Sequence, residues 1–291
     1  MSLATDLVRT GVNAIPYTDP GNPDRPLVLN TYRPASYTAT QPVVFVQHGM
    51  LRNGDAYRDF WIPAADRHGL LIVAPTFSNE AYKGPESYNN GLVRDGDGKV
   101  RPRAQWAYTV LARLWERLRS EGVTARSKVH LYGHSAGGQY VHRLLSTQAH
   151  GFIEMAVAGN PGWYTLPTLE RPFPEGLGGL GLDEGYVRRL LGFPLLILAG
   201  DKDIATDDPN LPSNEEALRQ GPHRFARAHH YFEFGRKEAA RLSQPFAWTL
   251  QIVPGIGHDG EAMSAVAASI WFGDGMPDAT ELARLAGRRA A

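Results

Sequence analysis

Hydrophobic residues fall along this chain in short unbroken runs separated by segments of helical spacing. The runs are VVFVQ (43–47), LLIVAP (70–75), VHLY (129–132), IEMAVAG (153–159), PLLILAG (194–200) and FAWTLQIVPG (246–255). A strand with one wet face alternates apolar and polar residues. These runs do not, which predicts strands covered on both faces, as in a parallel sheet with helices on each side. Helical periodicity is predicted over 55–67, 106–118, 136–145 and 258–272, the second carried by Trp106, Val110, Leu111, Leu114 and Leu118. Strand and helix take turns, so the expected class is α/β.

Two weaker strand candidates, 7–12 and 27–32, flank the turn-rich PYTDPGNPDRP and predict a hairpin at a sheet edge. Three stretches interrupt the alternation: 76–103, with Tyr82, Tyr88, Asn89 and Asn90; 160–192, with the run GLGGLGLDEG; and 204–245. Long irregular stretches in a compact domain are usually functional or disordered. No repeat or linker separates them, so the chain reads as one domain, 1–291, with inserted loops or a small lid. The terminal ELARLAGRRAA reads as a solvated amphipathic helix.

The stretch KVHLYGHSAGGQYVHRLL (128–145) organises the rest. Its apolar strand breaks at Gly133-His134-Ser135-Ala136-Gly137, and a helix with Tyr140, Val141, Leu144 and Leu145 on one face follows. A G-x-S-x-G turn between strand and helix forces the serine into strained geometry and lifts its hydroxyl above the sheet. The helix start adds free N–H groups and a partial positive charge, both suited to an oxygen that becomes negative during reaction. Ser135 is therefore the candidate nucleophile.

Composition removes several function classes. Thirty basic and thirty acidic side chains give no net charge, hence no long-range field favouring nucleic acid or an anionic membrane surface. Cysteine is absent, which excludes disulfides, thiolate metal sites and a cysteine nucleophile. No run approaches the apolar length of a membrane span. The N-terminal MSLATDLVRTGVNAI lacks the apolar core of a signal peptide, so the expected location is cytoplasmic.

A serine nucleophile needs a base, an acid to orient it and two donors for the oxyanion. Asp201 and Asp203 both follow the 194–200 strand, where open α/β sheets gather their sites, and either can be the acid. His258, in GIGHDG, follows the last core strand and precedes a helix; of the ten histidines it alone combines that chain order with a strand-end loop. The N–H of Ala136 is one candidate oxyanion donor. The N–H of Met50 is the other, since His48-Gly49-Met50 follows the 43–47 strand and Gly49 permits close backbone approach. Trp61, Trp163 and Tyr164 are candidate substrate contacts, with a core role as the competing reading. The aspartates at 201, 203 and 207 do not form a calcium loop, because Thr206 and Pro212 stand where Gly and Glu are needed. His229-His230 lacks a third ligand at a suitable spacing. No metal or organic cofactor is expected.

With these residues assembled, the chain resembles the α/β-hydrolase superfamily over residues 25–272. GHSAGG (133–138), HGMLRNGDAYRD (48–59) and AGNPGWYTLP (158–167) are similar to the branch containing polyhydroxybutyrate depolymerase-like esterases. The resemblance implies an eight-stranded, mostly parallel sheet and hydrolysis of small-molecule or oligomeric carboxylic esters, polyhydroxyalkanoate-type oligoesters among them. It also favours Asp203 over Asp201, since the acid of this fold commonly stands three residues beyond the strand-ending glycine. The absence of cysteines and of a visible binding module departs from many secreted depolymerases and argues against attack on solid polymer. Amide cleavage and acyl transfer by the same residues remain alternatives, as does a binding protein on a hydrolase fold.

Overall fold

The computed structural model describes residues 6, 7 and 9–287. Residues 1–5, Val8 in the first predicted strand, and the last four residues of the predicted tail helix lie outside the described residues. Eight strands form one sheet: β1 (Gly11–Tyr17), β2 (Leu27–Arg33), β3 (Val43–Gln47), β4 (Leu71–Thr76), β5 (Val129–His134), β6 (Ile153–Gly159), β7 (Leu195–Gly200) and β8 (Thr249–Val253). Their spatial order is β1-β2-β4-β3-β5-β6-β7-β8. Strands β1–β2 and β2–β4 pair antiparallel and every other neighbour pairs parallel. β3, β5 and β7 are buried along their whole length, which is why their sequences run apolar without alternation.

The edge hairpin forms, but its first strand starts later than predicted. Gly11–Tyr17 pairs in register from Gly11 with Arg33 to Tyr17 with Leu27. Only Ile15 and Tyr17 of this edge strand are buried, so its apolar density was too low to locate it by sequence pattern. The helix expected over 55–67 is two helices, α1 (Gly54–Phe60) and α2 (Ile62–His68). They part at Trp61 because Pro63 has no N–H to continue the ladder. A short α3 (Gly84–Ser87) lies in the 76–103 stretch, and α4 (Thr109–Ser120) and α5 (Ala136–Thr147) flank the central strands.

The 160–192 stretch ends in α6 (Glu184–Leu191), which packs on α5. The 204–245 stretch contains α7 (Glu215–Gln220) and α8 (Arg224–Arg241); α8 packs on β7 and β8 as a sheet-covering helix. After β8 come α9 (Gly260–Phe272) and α10 (Ala279–Gly287). One face of the sheet, with Phe45, Val73, Leu131 and Ile197, is covered by α4, α5, α6 and α8. The other, with Val44, Ile72, Val157 and Leu198, is covered by α1, α2, α9 and α10. No helix among the described residues is long and apolar enough to cross a membrane.

Candidate active site

Ser135 sits between the last residue of β5 and the first of α5 with φ 57° and ψ −119°, a conformation that L-residues adopt only when their surroundings enforce it. Two glycines make room for the turn. A Cβ on Gly133 would lie 2.2 Å from the Gly137 carbonyl oxygen, and one on Gly137 would lie 2.2 Å from that of Gln47. The Ser135 N–H donates to Gly159 O at 2.9 Å, tying the turn to the end of β6.

The side chains of Ser135, His258 and Asp203 stand in a row of hydrogen bonds. Ser135 Oγ lies 3.0 Å from His258 Nε2, and His258 Nδ1 donates to Asp203 Oδ2 at 2.7 Å. Asp201 turns elsewhere, its Oδ1 accepting from the Gly255 N–H at 2.8 Å. Asp259, not His258, caps α9 by accepting from the Ala262 N–H, so the histidine is left in the loop facing Ser135.

Two residues that no sequence signal revealed hold this arrangement. Asn160, the residue after β6, bonds β7 twice and the loop after β8 once: its N–H donates to Leu198 O, its Oδ1 accepts from the Gly200 N–H, and its Nδ2 donates to Gly257 O, all within 3.0 Å. It thereby ties the segment that carries Asp203 to the one that carries His258, beside Gly159, whose carbonyl holds the Ser135 N–H. Arg224, buried at the start of α8, bridges Asp203 Oδ1 at 3.4 Å and Asp208 Oδ2 at 2.7 Å. Burial alone would raise the Asp208 pKa, but the Asn210 N–H and Arg224 outweigh it and hold the carboxyl below its usual range.

The loop after β3 is fixed by His48. This imidazole is fully buried; its Nδ1 donates to Gly49 O at 2.9 Å and its Nε2 accepts from the Phe77 N–H at 3.0 Å. Burial pushes its pKa down to about 3. In a trans peptide the carbonyl and the following N–H point in opposite directions. Holding Gly49 O toward His48 therefore turns the Met50 N–H away from it. Tyr88 stacks on the ring and donates to His48 O at 2.8 Å, and Arg52 lies over Tyr88. The first N–H groups of α5, Ala136 among them, have no acceptor within the helix. On the other side, Tyr57 OH lies 2.8 Å from His134 Nδ1, and the His134 ring packs against that of His258.

Ser135 and His258 line a pit of about 340 Å³, shared with Gly49, Met50, Leu51 and Phe60. A larger cleft of about 740 Å³ adjoins it, with Met50 and Asn210 lining both. Trp163 is a wall of that cleft. The other two aromatic candidates are not: Trp61 has no exposed surface and packs on Tyr132 and Trp271, and Tyr164 stacks on Tyr231 in the opposite core. Trp61 is the single residue between α1 and α2.

An eight-stranded, mostly parallel sheet with a serine at a strained strand-to-helix turn defines a hydrolase of the α/β class. Comparison with models of protein families finds no match, and comparison with curated proteins finds none. Solved structures do match. The LpqC poly(3-hydroxybutyrate) depolymerase from Bordetella parapertussis is 60% identical over 97% of each chain, with a TM-score of 0.95. Poly(aspartic acid) hydrolase-1 from Sphingomonas sp. KT-1 is 34% identical over 90% of this chain and 98% of its own, with a TM-score of 0.87. An S-formylglutathione hydrolase from Agrobacterium tumefaciens, 16% identical over 96% of each chain with a TM-score of 0.56, shares the fold alone. The chain belongs to the α/β-hydrolase superfamily, among its depolymerase-like serine esterases, and is a carboxylic ester hydrolase.

Proposed function

We propose that this protein cleaves carboxylic esters through an acyl-enzyme formed on Ser135, with His258 as general base and then acid and Asp203 as the group that orients the imidazole, and that its substrates are polyhydroxyalkanoate-type oligoesters. The observation that carries the reading is the unbroken hydrogen-bond row from Ser135 Oγ through His258 to Asp203. Ser135 Oγ attacks the ester carbonyl while its proton passes to His258 Nε2. The Met50 and Ala136 N–H groups receive the carbonyl oxygen as it becomes negative. The tetrahedral intermediate collapses, the alcohol leaves with the proton from Nε2, and the acyl group stays on Ser135. Water then gives a proton to Nε2, attacks the acyl carbon and releases the acid, and the proton returns to Ser135.

The oligoester assignment is supported by the 60%-identical depolymerase. A second reading, amide cleavage by the same residues, is supported by the 34%-identical hydrolase of poly(aspartic acid). Turnover on a panel of p-nitrophenyl esters, 3-hydroxybutyrate oligomers, poly(aspartic acid) and peptide amides separates them, with Ser135→Ala as the blank. We expect ester and oligoester turnover that falls on the order of 10⁴-fold or more in that variant. Wild-type turnover by Ser135→Ala refutes the assignment, and turnover confined to amides replaces it with the second reading.

A further inference from the structure

Arg143, midway along α5, carries a charge that the mechanism leaves unused. Its side chain is fully buried. Nε donates to Thr165 Oγ1 at 2.9 Å, and Nη1 donates to Asn89 O at 3.1 Å and Asn90 Oδ1 at 2.7 Å. All three acceptors are neutral, and Nη2 has no hydrogen-bond partner among the described residues. Burial lowers the pKa to about 10, which leaves the guanidinium protonated at neutral pH. A buried charge ordinarily comes with an opposite one, because leaving it uncompensated is costly.

The missing counter-charge has a place to come from. Asn89, Asn90 and Trp163, whose ring lies 5.1 Å from the guanidinium, all line the 740 Å³ cleft. Arg143 thus sits one layer beneath the cleft floor. The same hydrogen bonds orient that floor. A guanidinium can only donate, so Asn90 turns its oxygen inward and leaves Nδ2 to donate toward the cleft. Asn89 Nδ2 donates to Gln139 Oε1 at 3.2 Å, which likewise leaves Gln139 Nε2 as a donor. Two amide donors above a positive charge shielded from water suit an anionic acceptor. The four carboxylates that line the cleft weigh little against this. Glu175 is paired with Arg171 at 2.5 Å and Arg219 at 3.0 Å, Asp95 accepts from the N–H groups of Asp97 and Lys99 in its own turn, and Asp95, Glu86 and Glu216 reach solvent, where salt screens them.

We infer that the cleft floor over Arg143 is a carboxylate-binding subsite that takes the free acid end of an oligoester whose scissile carbonyl lies at Ser135. This rests on the ester-hydrolase reading above and adds a preference within it: acid-terminated chains over capped ones.

The test measures binding to Ser135→Ala protein by calorimetry, using the 3-hydroxybutyrate trimer as free acid and as methyl ester. A second protein adds Asn90→Asp, which supplies a carboxylate of the same shape at the position 2.7 Å from Arg143 Nη1. The free acid should bind roughly tenfold more tightly, the gain expected of one charge-assisted contact, and the ratio should fall to about one in Asn90→Asp. Equal binding, tighter binding of the ester, no binding of either, or a preference that survives Asn90→Asp overturns the subsite. Turnover of the two trimers by wild-type protein is read separately. Turnover without acid preference sinks only the subsite, whereas tighter binding of the acid with no turnover of either trimer sinks the oligoester reading and, with it, the placing of a scissile carbonyl at Ser135.

Discussion

Lowering the pH should unfold this protein through its buried histidines. His48, His130, His142 and His150 are all buried, and burial holds each below the ordinary imidazole pKa: His48 at about 3, His130 and His150 at about 4, and His142 well below. For two of them geometry also requires the neutral ring. Nε2 of His48 accepts from the Phe77 N–H and Nε2 of His142 from the Thr165 N–H, each at 3.0 Å, so neither can carry a proton without losing that bond. Because the folded pKa lies below the unfolded value of about 6.5, the unfolded chain takes up protons first. The stability these groups contribute is complete above pH 6.5 and is lost as pH falls toward 4 and then 3. Each group costs about 1.4 kcal/mol per pH unit, so at pH 5 His48, His130 and His150 each cost about 2 kcal/mol, roughly 6 together, with His142 acting in the same direction. Domains are stable by roughly 5–15 kcal/mol, so acid unfolding is expected between about pH 4 and 5. Urea unfolding followed by tryptophan fluorescence at pH 7.5, 6 and 5 measures the loss. Replacing His150 with glutamine should recover about 2 kcal/mol of it. Stability that stays within about 1 kcal/mol from pH 7.5 to 5 would falsify this account.

Three further outcomes follow from the site. Gly137→Ala should abolish activity and yield little folded protein, because the added methyl meets backbone oxygens of Gln47 at 2.2 Å and His48 at 2.7 Å; a well-folded, active variant would mean the elbow can widen. His48→Asn frees the Gly49–Met50 peptide and should lower kcat by roughly 10²-fold with KM little changed, the size seen when one oxyanion donor is lost; an unchanged kcat removes Met50 from the oxyanion hole. Arg224→Met should lower kcat by about 10- to 100-fold by letting Asp203 swing, with partial recovery in Arg224→Lys, whereas a wild-type kcat would mean the His258 bond alone aligns the acid.

What the sequence revealed and what it hid divide along the range of the interactions. The central strands were readable because burial on both faces leaves an unbroken apolar run, and the elbow because Gly133, Ser135 and Gly137 answer local steric demands. Position just after such strands singled out His258 and the 48–50 loop as candidates but left Asp201 and Asp203 open, and only the resemblance favoured Asp203, whose carboxylate is the one that meets His258. Edge strand β1 was misplaced because only alternate residues face inward. The split at Trp61 was missed because an apolar pattern runs through it while the proline that breaks it lies two residues on. Trp61 and Tyr164 show that an aromatic beside a functional loop can face either way, a choice made by backbone direction rather than residue type. Asn160, Arg224 and Arg143 were invisible because their partners lie far away in the chain, 97 residues in the case of the Asn160 bond to Gly257.

The measurement that bears most directly on the account is mass-spectrometric mapping of protein treated with a fluorophosphonate, alongside Ser135→Ala and His258→Ala. A single adduct on Ser135, absent in the first variant and formed far more slowly in the second, is the expected result. An adduct on another residue, or labelling of Ser135 that proceeds at the wild-type rate without His258, contradicts it.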